Sequence, residues 1–71
     1  SKPVKYNGEE RKARIIQYLE KHETIMSSDC MGINECTRYL ALKDIKELIA
    51  GKKIVKQGYR KIAVYTLPKI L

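Results

Sequence analysis

The chain has no tryptophan and no phenylalanine, so its five tyrosines carry all the aromatic bulk. Single-stranded nucleic acid is held mainly by stacking on grouped rings, and Tyr39, Tyr59 and Tyr65 are too scattered to form such a platform. Histidine occurs once, at His22, and the only two cysteines, Cys30 and Cys36, are six positions apart. That set lacks a fourth zinc ligand and contains no CxxC pair, so no metal is expected. The cysteines read as small buried hydrophobes. A disulfide between them stays open, because intracellular proteins of hyperthermophiles form such bonds. There is no paired-carboxylate arrangement, no nucleophile with an adjacent base and no phosphate-cradling glycine loop, so neither an enzyme nor a cofactor is expected. His22 reads as a last-turn helix residue favoured by the dipole. No apolar run approaches the roughly 20 residues of a membrane span, and no secretory leader pattern opens the chain. The expected location is cytoplasmic.

Acidic residues are missing from one whole end. All eight lie at or before Glu47, whereas Leu48 to Leu71 holds six basic residues and no acid. The net charge is +7 in 71 residues, with a pI near 9.6. A one-sided basic surface of this kind suits a polyanion. The length allows one domain with a modest core.

Residues 1–6 read as a flexible arm, with Lys2 and Lys5 as its charges. Asn7 and Glu10 match a capping box, opening a first helix over 8–22 with Ala13, Ile15, Ile16 and Leu19 as its apolar stripe and Arg11, Lys12, Arg14 and Lys21 on other faces. Thr24-Ile25-Met26 is long enough only for a bridging strand. Ser27 or Ser28 offers a cap for a short second helix over 28–34, and Asn34 suits a left-handed terminator. The clearest helical pattern follows over 37–50, where Thr37 is the cap, Ala41, Ile45, Leu48 and Ile49 share a face, and Gly51 ends the run. Residues 53–67 alternate as a β-hairpin, with Gly58 near the turn and Pro68 as the stop.

The order helix, short strand, helix, turn, helix, hairpin resembles the winged helix-turn-helix family over about residues 9–67. The most specific stretch is Lys43-Asp44-Ile45-Lys46-Glu47-Leu48-Ile49-Ala50-Gly51-Lys52-Lys53-Ile54-Val55-Lys56, which looks like a recognition helix entering the first wing strand. Ile25-Met26-Ser27-Ser28-Asp29 looks like the strand-then-cap entry to the second helix. The turn Asn34-Glu35-Cys36-Thr37 departs from the family in lacking its glycine and large apolar pair. A second register, with the second helix over 33–42 and a short third helix from Lys43, also reads. The first is preferred because it keeps the usual length of the recognition helix.

The resemblance implies an α+β fold, with three helices and a C-terminal two-stranded wing, that binds double-stranded DNA as a transcriptional regulator. In this family the recognition helix enters the major groove, where base edges are distinguishable. The matching candidates here are Thr37, Arg38, Tyr39, Leu42, Lys43 and Lys46. Wings touch the backbone or the minor groove, which nominates Lys52, Lys53, Lys56, Tyr59, Arg60 and Lys61, with Arg60 suited to a narrow groove. About six phosphate contacts would give a slope of log K against log salt near −5. A chain this small offers few base contacts, so a two-fold homodimer is expected to double them, through Leu67-Pro68-Lys69-Ile70-Leu71 or an exposed face of the first helix. The competing readings are a winged-helix protein–protein interaction module of a larger assembly, and an RNA-binding domain.

Overall fold

The first helix starts where the sequence offers a cap. Asn7 Oδ1 accepts from the Glu10 N–H at 2.9 Å, and Glu10 Oε1 accepts from the Asn7 N–H at 2.9 Å. This reciprocal box satisfies two donors that a helix start otherwise leaves unpaired. The computed structural model describes residues 4–59 and 62–69, with Tyr59 through its backbone alone. Its elements are α1 (Gly8–Lys21), α2 (Ser27–Asn34), α3 (Arg38–Ala50), β1 (Val55–Tyr59) and β2 (Ile62–Thr66). The strands pair antiparallel, from Val55 opposite Thr66 to Tyr59 opposite Ile62. The architecture is α+β, a small winged-helix fold.

One core unites these elements: Ile15 and Leu19 of α1, Ile25, Cys30 of α2, Ala41, Ile45 and Leu48 of α3, Ile54, and Tyr65 of β2. Ile25 does more than fill space. Its N–H donates to the Tyr65 carbonyl at 2.9 Å, and the Tyr65 N–H donates back to the Ile25 carbonyl at 2.9 Å. One residue between α1 and α2 thereby ties the helices to the inner strand of the wing.

Several sequence expectations need correction, and each has a physical cause. Arg11 does not face solvent. Its Nε and Nη2 clamp Asp44 Oδ2 and Oδ1 at 2.6 and 3.1 Å, and Nη1 donates to the Tyr6 carbonyl at 2.9 Å. The arginine is 5% exposed and the aspartate 1%. Ala13 and Ile49, expected in the core, are exposed, because their helices turn Arg11 and Asp44 inward instead. Neither Ser27 nor Ser28 caps α2. Met26 takes the cap position, and its N–H donates to Asp29 Oδ2 at 2.9 Å. Asn34 is helical and buried, not left-handed. Its Nδ2 donates to the Arg11 carbonyl at 3.2 Å and its Oδ1 accepts from Arg14 Nε at 3.1 Å, so the left-handed conformation passes to Glu35, at φ 49°. The same displacement occurs after α3. Gly51 has φ −82°, and Lys52 takes the positive angle, φ 60°.

Nor are residues 4–6 a free arm. Lys5 pairs with Glu35 at 2.9 Å, the Tyr6 carbonyl serves Arg11, and the Arg14 guanidinium lies 4.1 Å from the Tyr6 ring centre. Lys2 lies outside the described residues, as do Ile70 and Leu71 of the proposed dimer surface. Leu67, from the same stretch, packs partly against the core.

Two stability predictions follow from these contacts. Asp44→Ala strands a buried guanidinium and should cost about 3–5 kcal/mol, a large share of the roughly 4–10 kcal/mol available to a domain this small. Urea denaturation measures it. Combining it with Arg11→Met should recover most of the loss, and a double variant as unstable as Asp44→Ala alone would contradict the account. Gly58 sits at φ 109°, where an added Cβ would lie 2.6 Å from the Ile62 carbonyl oxygen. Gly58→Ala should therefore lower stability by more than about 1 kcal/mol, with the amide shifts concentrated in β1 and β2.

Candidate nucleic-acid interface

Helical periodicity divides α3 into two faces. Ala41, Asp44, Ile45 and Leu48 are buried. One-half turn away, Tyr39, Lys43 and Lys46 stand exposed, with Leu42 half-buried at their flank and Arg38 exposed in the first turn. Tyr39 is 74% exposed, and its ring makes no aromatic contact among the described residues. Thr37 is committed to the fold, since its Oγ1 accepts from the Leu40 N–H at 3.2 Å and caps the helix. Tyr39, Leu42, Lys43, Lys46 and Glu47 line a shallow recess of about 490 Å³.

Glu47 was absent from the sequence-derived candidates. Its Oε2 accepts from Lys43 Nζ at 2.8 Å and its Oε1 from Lys12 Nζ of α1 at 3.0 Å. Lys12 also bridges Glu9 at 2.7 Å. The hydrogen bonds from Lys43 and then Lys12 hold the Glu47 carboxyl down at about 2, and the same bond raises the Lys43 ammonium above its usual value. The four-residue spacing of Lys43 and Glu47 is a signal visible in sequence. The Lys12 contact spans 35 positions and only folding supplies it. Lys43 thus lies on the predicted face but is already paired.

The wing candidates divide. Lys52, Lys53 and Lys56 are exposed. Lys52 is set by a tight turn in which its N–H donates to the Ile49 carbonyl and the Lys53 N–H donates to that of Leu48, both at 2.9 Å. Gln57 and Gly58 are strand residues rather than wing tip. Arg60, Lys61 and the side chain of Tyr59 lie outside the described residues.

Other reactive groups sit elsewhere. Cys30 and Cys36 are free thiols; burial pushes Cys30 up to about 12 and raises Cys36 as well, which disfavours the nucleophilic thiolate. His22 caps α1 through its backbone and stacks on Tyr18 at 4.2 Å between ring centres. No cluster of metal-binding side chains occurs among the described residues. Among them, too, no helix is long and apolar enough to cross a membrane.

Three helices, a bridging residue and a basic hairpin define the class as winged helix-turn-helix in fold. No protein-family model matches the chain, and no curated protein does. Solved structures do match, among them the DIP2311 protein from Corynebacterium diphtheriae, with a TM-score of 0.81 over 87% of this chain at 19% identity. The match spans 11% of that longer protein. Likeness at this identity concerns the fold.

The Glu47 pair carries a pH dependence of definite sign. A carboxyl depressed from 4.5 to about 2 stabilises the fold fully above its ordinary value, and that contribution fades as pH falls toward 2. The melting temperatures of wild type and Glu47→Gln should differ by a constant amount above about pH 5 and converge below it. Because the group is exposed, the difference should be small and should shrink in salt. Convergence toward neutral pH instead would contradict the sign.

Proposed function

We propose that this domain binds double-stranded DNA, placing the outward face of α3 in the major groove and the hairpin on the adjoining backbone, as a transcriptional regulator does. The observation supporting this most strongly is the disposition of charge along α3 and the wing. Both acids of α3 are committed to intramolecular pairs, Asp44 with Arg11 and Glu47 with Lys43 and Lys12. Arg38, Lys46, Lys52, Lys53 and Lys56 are exposed and have no ion-pair partner among the described residues. A single-signed stripe on a convex helix and its neighbouring strand matches a groove flanked by phosphates.

The residues divide by what they offer. Lys46 and Arg38 can donate to guanine edges or phosphates, and Tyr39 and Leu42 present apolar surface suited to a thymine methyl. Lys52, Lys53 and Lys56 are point charges for the backbone. A helix of 13 residues reads few base pairs, so two copies on half-sites one helical turn apart would supply the remaining specificity.

Titration of a fluorescent random duplex at several salt concentrations tests the proposal. Five engaged cations give a slope of log K against log salt of about −4.5, and Arg38→Ala with Lys46→Ala should weaken binding and flatten the slope by about 1.8. A duplex ignored at physiological salt, or a double variant that binds unchanged, would overturn the assignment. Tighter binding to a matched single-stranded RNA would redirect it to RNA.

A further inference from the structure

The recognition face holds one group of the wrong sign. Glu47 is the last acidic residue in the chain and borders the recess shared by Tyr39, Leu42, Lys43 and Lys46. A carboxylate facing a wall of phosphates opposes binding unless a cation is held against it. Here that cation is Lys43, at 2.8 Å on the same helix, while Lys12 holds the other carboxylate oxygen at 3.0 Å from α1. The second contact matters, because it anchors Glu47 from a neighbouring element. Lys43 is therefore paired with a carboxylate whose position is fixed by two helices, and leaving it for a phosphate exposes Glu47 half-satisfied.

We infer that Glu47 is an affinity-limiting residue of the DNA face, which sequesters Lys43 from the phosphate backbone and so weakens sequence-independent binding. The inference rests on the DNA-binding reading above. Non-specific affinity comes almost entirely from cations that displace counterions. Withdrawing one of them lowers affinity for all sequences alike, while a base edge that offers its own donor and acceptor can still engage the lysine and the carboxylate together. Glu47 thus raises the ratio of specific to non-specific binding without itself contributing affinity.

The consequence is a coupling between two residues, measurable on a random duplex with wild type, Glu47→Gln, Lys43→Ala and the double variant. Glu47→Gln should bind about eightfold tighter at 0.1 M salt, with a salt slope steeper by about 0.9, the value for one released phosphate contact. Most of that gain should vanish when Lys43→Ala is added, so the two changes should be strongly non-additive. An equal gain with and without Lys43 would overturn the inference, since removing a negative charge would then act alone. So would a Glu47→Gln variant that binds as wild type does. Circular dichroism melting confirms that each variant is folded. If wild type and every variant ignore the duplex, the DNA-binding reading falls and this inference with it; if wild type binds and the coupling is absent, this inference alone falls.

Discussion

The buried pair between Arg11 and Asp44 is the constraint around which the helices arrange themselves. A guanidinium out of water requires a matched acceptor set, and this one receives both carboxylate oxygens of Asp44 and the Tyr6 carbonyl. The pair fixes the rotation of α1 and α3 about their axes. With Asp44 turned inward, Tyr39, Lys43 and Lys46 are turned outward by helical geometry. The presentation of the basic face is thus a consequence of a buried interaction on the opposite side of the same helix.

A polar seam continues from this pair toward α2. Asn34 donates to the Arg11 carbonyl and accepts from Arg14, and Arg14 also donates to the Ile33 carbonyl at 2.9 Å. Arg14 thereby satisfies the C-terminal end of α2, where carbonyls would otherwise lack partners. Its guanidinium also faces the Tyr6 ring, and Lys5 beyond it pairs with Glu35. The turn between α2 and α3, which has neither the family's glycine nor its apolar pair, is held by side chains from α1. The left-handed backbone at Glu35 is stabilised by this surrounding network rather than by its residue type.

Charge on the surface obeys the same economy. Lys5, Lys12 and Lys43 are all engaged by acids, whereas Arg38, Lys46, Lys52, Lys53 and Lys56 have no such engagement among the described residues. A net charge of +7 does not reveal this division. Ion pairing shifts the cations available to a polyanion toward the first turns of α3 and the root of the wing, and removes from them the N-terminal segment and the α1 lysine.

By itself the sequence determined the element order, the capping box at Asn7, the three-residue interval that permits only a bridge at Ile25, and the inward positions Ile15, Leu19, Ala41, Ile45 and Leu48. These depend on local propensity and on periodicity along one segment, which a linear reading contains. It also marked which end of the chain is basic. Only the tertiary structure decided that Arg11 and Asp44 are buried, that Asn34 is a bridge rather than a terminator, and that Glu47 joins two helices. Those outcomes depend on contacts across 33, 23 and 35 positions. The pairing of charges so far apart follows from how helices pack, and no spacing within a segment encodes it.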